Sequence, residues 1–205
     1  MTSPRVLRIA LLGAWQHHRE GRFVDLVKAR TPLVFPSTAR RSAWRAMRSE
    51  LGGQVELPRL EIRIAGYSWG AWSALQIAER LYAAPERLHP ALRRETLELR
   101  LGLLDPVPTF RRPARLPESD RVRAWVIHQR NGCYKGCPGP SPWFAGVAVP
   151  GATNWDVTEA GRGGVHDGRV PPECAPDHIQ MGYTGFGDFD LRIARVLDEG
   201  HVQLG

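Results

Sequence analysis

The chain has 205 residues, enough to bury one sizeable core, and is expected to form a single domain over 1–205. Its net charge of +7 comes almost wholly from arginine, since Lys28 and Lys135 are its lysines. That bias accompanies no basic–aromatic nucleic-acid module, so nucleic acid is excluded as an expected partner, while an anionic lipid surface stays compatible with the charge.

Arg5 and Arg8 precede a short apolar run, Ile9 to Leu12, that is too brief and too charged for a signal-peptide core or a membrane span. The run reads as a first core strand, Val6–Leu12, in a protein that is cytoplasmic or exported by a signal-independent secretion system. The turn after it holds Ala14 and Trp15, where a backbone N–H of an oxyanion hole is expected, and His17 and His18, which read as surface residues. A helix over 22–29 and a short edge strand, Leu33 to Phe35 between Pro32 and Pro36, follow. Ser37 or Thr38 then caps a basic amphipathic helix to Leu51. Ala43, Trp44, Met47 and Leu51 line its apolar face, with Arg40, Arg41, Arg45 and Arg48 around the rest. Such a helix covers a sheet or rests on an anionic membrane.

Glu61 to Leu81, EIRIAGYSWGAWSALQIAERL, changes from strand to helix period across Gly66-Tyr67-Ser68-Trp69-Gly70. A serine with glycine two residues to either side, at a strand-to-helix turn, has the form of a nucleophile elbow, and Ser68 is the expected nucleophile. Leu97 to Leu104 reads as a central strand buried on both faces, and it ends abruptly at Asp105-Pro106. A carboxylate at the carboxyl end of such a strand is well placed for chemistry. Val122 to Gln129 is a further strand carrying His128, and Phe144 to Val149 is expected as the last one. A Gly/Pro-rich loop region spans 131–177, and a closing helix over 186–197 turns Phe189, Ile193, Val196 and Leu197 inward.

Alternating strands and helices make an α/β fold, a mostly parallel sheet with helices on both faces. An activated serine needs a histidine to take its proton and a carboxylate to orient that histidine. Ser68, Asp105 and His178 occur in the chain order Ser, Asp, His. His166, beside Asp167, is the rival base; His178 is preferred because the closing helix anchors it. The backbone N–H of Trp69 is the second expected oxyanion donor. Cys133, Cys137 and Cys174 are an odd number, and with His178 they also have spacings that a Cys3His zinc site could use, or a disulfide between two of them. The expectation is no metal and no cofactor.

The GYSWGA elbow, the strand ending Leu104-Asp105-Pro106-Val107 and the late Asp177-His178 together resemble the lipase/esterase-like α/β-hydrolases. They resemble in particular small bacterial hydrolases with a GYSWG elbow, some related to type VI lipase effectors. The resemblance implies a serine ester hydrolase with a Ser68–Asp105–His178 triad acting on a small-molecule or lipid ester. It differs from most of that superfamily in placing the acid one strand earlier, and in having Gly13-Ala14-Trp15 where a His-Gly motif is usual.

Overall fold

The computed structural model describes residues 4–14, 16, 21–54, 57, 59–108, 115–130, 132, 144–158, 178, 180–184 and 187–203. The strands are β1 (Arg5–Leu12), β2 (Val34–Pro36), β3 (Leu60–Tyr67), β4 (Leu97–Leu104), β5 (Val122–His128) and β6 (Thr153–Asp156). They form one sheet in the order β2-β1-β3-β4-β5-β6, and every pairing is parallel. The helices are α1 (Arg22–Lys28), α2 (Arg40–Leu51), α3 (Trp69–Ala83), α4 (Phe189–Ala194) and α5 (Val196–Glu199).

Parallel strands need crossover helices, which bury both faces of the sheet, and the apolar side chains divide accordingly. Leu7, Ile9, Leu11, Ile62, Ile64, Leu101 and Leu103 pack with α2 and α3 on one face. Ala10, Leu12, Ala65, Tyr67, Leu104 and Ile127 pack with α1, α4 and α5 on the other. Gly102 lets α4 cross β4 closely, because a methyl group there would lie 2.7 Å from the Ile193 carbonyl oxygen. The α2 residues Ala43, Trp44, Met47 and Leu51 are all buried, so the apolar face of this helix is committed to the core and its exposed arginines simply face solvent.

Near the amino end of the sheet, register aligns Arg8, Arg63, Arg100 and Arg123 on four adjacent strands. Like charges side by side repel, and the fold places acceptors against them. Arg8 and Arg63 donate to the Leu197 carbonyl within α5, and Arg63 and Arg100 pair with Glu61 and Glu98. These hydrogen bonds dock α5 onto the sheet.

Three expectations need correction. Residues 144–149 are not a strand; among the described residues the last strand is β6, a short, mostly polar segment that pairs with β5. The helix expected over 186–197 is two pieces, α4 and α5, divided at Arg195, and it begins after Asp188 in a left-handed conformation. The residue flanking α2 is Ala39 rather than Ser37 or Thr38, and no side chain caps it; the Ser37 carbonyl instead accepts a hydrogen bond from Ser73. Among the described residues no helix is long and apolar enough to cross a membrane.

Candidate active site

In this strand order β1 and β3 are neighbours, but their connections leave in opposite directions, β1 toward β2 and β3 toward β4. A crevice opens at the carboxyl ends of strands where connections diverge in this way. Ser68 follows β3 at that edge, at φ 57° and ψ −127°. The glycines beside it are there for close approach. A methyl on Gly66 would meet the Ala71 Cα at 2.7 Å, and one on Gly70 would meet the Leu11 carbonyl oxygen at 2.2 Å. The start of α3 thus lies directly against the end of β1. Gly13, just beyond β1, is also crowded, since a methyl there would lie 2.9 Å from the Tyr67 ring and 3.1 Å from the Ser68 Cβ. Its N–H donates to Gln16 Oε1, and Gln16 is itself buried.

Asp105 follows β4 on the adjacent strand, at φ 47°, and its N–H donates to the Ile127 carbonyl. His178 bridges the two. Its Nδ1 lies 2.6 Å from Asp105 Oδ2 and its Nε2 lies 2.8 Å from Ser68 Oγ. Asp105 also receives hydrogen bonds from the Gln129 backbone N–H on Oδ1 (3.1 Å) and from Gln129 Nε2 on Oδ2 (2.7 Å), so it acts as an accepting carboxylate. That places the imidazole proton on Nδ1 and leaves Nε2 free to accept from the Ser68 hydroxyl. The row is dehydrated: Ser68 is 1%, Asp105 0% and His178 4% exposed, so each polar contact acts at low dielectric.

Two aromatic rings pack against the imidazole. The Tyr67 ring stacks on it at 5.0 Å between centroids and an interplanar angle of 22°, and the Phe144 ring lies at 5.3 Å. Backbone contacts fix the residue as well. The His178 N–H donates to the Gly132 carbonyl, and the Tyr67 hydroxyl donates to the His178 carbonyl. Gly182, in the π-helical turn Gln180–Thr184, makes room for Tyr67, because a methyl there would sit 2.5 Å from the ring.

Of the residues singled out from the sequence, Ser68, Asp105 and His178 are brought into one hydrogen-bonded row. Trp69 is the first residue of α3, directly after Ser68, and Ala14 directly follows Gly13. Trp15, His17, His18, His166, Cys133, Cys137 and Cys174 lie outside the described residues. Among those described, no group of three His, Cys, Asp or Glu side chains is placed to hold a metal. His128 stands apart from the row, buried at the end of β5 with its Nε2 3.9 Å from Asp156 Oδ2. Burial pushes its pKa below the usual histidine value; Asp156 and Asp105 oppose that, and Arg130 adds to it.

Gln129, Tyr67 and Phe144 are not apparent from the sequence as parts of the site. For Gln129 a signal is present: it directly follows β5, the neighbour of β4, and so shares the sheet edge with Asp105. Tyr67 and Phe144 act through packing, which chain order does not reveal. No protein-family model matches the chain, and a search of curated proteins found no match.

Proposed function

We propose that the chain is a serine ester hydrolase of the lipase/esterase-like α/β-hydrolase type, acting through an acyl-enzyme intermediate. The observation that carries this reading is the buried row Ser68–His178–Asp105, with its serine on a glycine-flanked strand-to-helix elbow. In the first half-reaction, Ser68 Oγ attacks the ester carbonyl carbon while its proton passes to His178 Nε2. Asp105 stabilises the imidazolium and holds Nδ1–H in place. The carbonyl oxygen becomes an oxyanion, for which the N–H of Trp69 and one from Ala14 or Trp15 are the expected donors. Collapse of the tetrahedral adduct breaks the bond to the leaving alkoxide, which takes the proton from Nε2 and departs as the alcohol. Water, deprotonated by the same nitrogen, then attacks the acyl-serine, and the acid is released with Ser68 restored.

No step requires a metal or a cofactor. The substrate is a carboxylic ester, small or lipid. A fluorophosphonate probe reacts with activated serines and not with ordinary ones, so it should label the wild-type protein and not Ser68→Ala, and p-nitrophenyl ester hydrolysis should follow the same pattern. A folded wild-type protein that neither labels nor hydrolyses would refute the reading and leave a catalytically silent module that binds a lipid surface or a protein.

A further inference from the structure

We propose that Gln129 is a positioning residue: one buried amide that holds both the acid and the base of the row. It is 0% exposed, and both its Nε2 and its Oε1 are engaged. Nε2 donates to Asp105 Oδ2 at 2.7 Å and to the Phe144 carbonyl at 3.2 Å, and Oε1 accepts from the Gly132 N–H at 3.0 Å. The Gln129 backbone adds two more bonds, N–H to Asp105 Oδ1 (3.1 Å) and C=O from the Gly146 N–H (2.8 Å).

The acid is gripped by two neighbouring residues. Gly146 closes against the carboxylate so tightly that a methyl there would lie 1.9 Å from Oδ1. Gln129 donates to both carboxylate oxygens, so the carboxylate cannot rotate away from His178 without losing two hydrogen bonds. Asp105 also sits at φ 47°, a left-handed value uncommon outside glycine, asparagine and aspartate. The base hangs on the same amide. Gln129 Oε1 holds the Gly132 N–H, and the Gly132 carbonyl accepts the His178 N–H at 2.9 Å. Both ends of the Asp105–His178 bond are therefore fixed through one side chain. The position needs a donor toward the carboxylate and an acceptor toward the loop, with enough reach for both. An amide of glutamine length meets that need, whereas a hydroxyl is too short and a carboxylate lacks the donor.

The inference rests on the hydrolase reading for its kinetic arm alone. Gln129→Met keeps the length of the side chain and removes its hydrogen bonds. Proton NMR of the wild-type protein should show a low-field resonance from the His178 Nδ1–H bonded to Asp105, identified by its disappearance in His178→Ala. In Gln129→Met that resonance should be displaced or lost. On a p-nitrophenyl ester, kcat should fall about tenfold to a hundredfold, the range expected for loss of a buried hydrogen bond to a charged group. KM should stay unchanged, because Gln129 does not touch the substrate.

Should Gln129→Met not fold, Gln129→Glu serves in its place. A carboxylic acid at position 129 can donate to Asp105 only while it keeps its proton, so this variant should gain a new loss of kcat toward alkaline pH. Among the described residues, Asp105 and His178, and His128 with Asp156 and Arg130 beyond β5, are the titratable and charged groups around this position and remain in the variant, so the new limb belongs to position 129. A folded Gln129→Met protein with the wild-type resonance and kcat, or Gln129→Glu with the wild-type pH profile, would overturn the proposal. If wild-type protein hydrolyses no ester, the hydrolase reading falls, and the resonance alone still decides the role of Gln129.

Discussion

The elbow can be tested for stored strain by comparing Ser68→Gly with Ser68→Ala. Ser68 occupies φ 57° and ψ −127°, a region that glycine enters freely and a residue with a Cβ does not. Holding a non-glycine residue in such a region costs about 1–3 kcal/mol. Both variants lose the hydrogen bond from Oγ to His178 Nε2, so that loss cancels in the comparison. Alanine keeps the Cβ and the strain. Glycine releases the strain but leaves a more disordered unfolded chain, which costs about 0.4–1 kcal/mol. Strain release outweighs the entropy, and Ser68→Gly should be the more stable variant by about 1 kcal/mol. For a protein of this size that difference corresponds to about 2–4 °C in Tm. Thermal unfolding followed by circular dichroism under matched conditions measures it. A Ser68→Gly protein that melts at or below Ser68→Ala would refute the argument that the nucleophile's position is strained.

Asp105→Asn keeps the shape of the acid but can present an N–H to His178 Nδ1, favouring the wrong tautomer; kcat should fall about 10³–10⁴-fold, read from initial rates with a p-nitrophenyl ester. His128 gives a prediction about pH. Burial holds its folded pKa below the unfolded value of 6.5, so the unfolded chain binds a proton that the folded one does not. The stability of the wild-type protein should therefore decline as pH drops below about 6.5 toward the folded pKa. His128→Phe should lose less Tm than wild type between pH 7 and pH 5, and parallel declines would show that His128 carries none of the acid sensitivity.

The parts of the molecule legible in the sequence are those where one local pattern has one physical cause. β4 reads LELRLGLL because both faces of a central strand are buried, and its end at Asp105-Pro106 is abrupt because proline cannot continue the ladder. The elbow is legible because Gly66 and Gly70 are forced by approach distances under 3 Å to the backbone of α3 and of β1. β6 is not legible, for the opposite reason. Thr153–Asp156 lies at the sheet edge with mostly exposed side chains, so no apolar alternation marks it; backbone pairing to β5 makes it a strand.

The segment at 144–149 shows how a site competes with local pattern. Its apolar residues have the composition of a strand, but three of them are engaged elsewhere. Phe144 flanks His178, Gly146 closes on Asp105, and Val149 fills the core. Its backbone bonds follow suit, with Gly146 donating to Gln129 and Val147 to Pro106. A segment that adopted the regular strand its composition suggests would give up that arrangement around the acid. The same reasoning explains why Ser68, Asp105 and His178 can be named in chain order while Gln129 cannot. A nucleophile, an acid and a base carry distinctive chemistry wherever they stand. An amide becomes part of a site only through what it touches, and the two groups it joins, Asp105 and Gly132, lie on opposite sides of it in the chain.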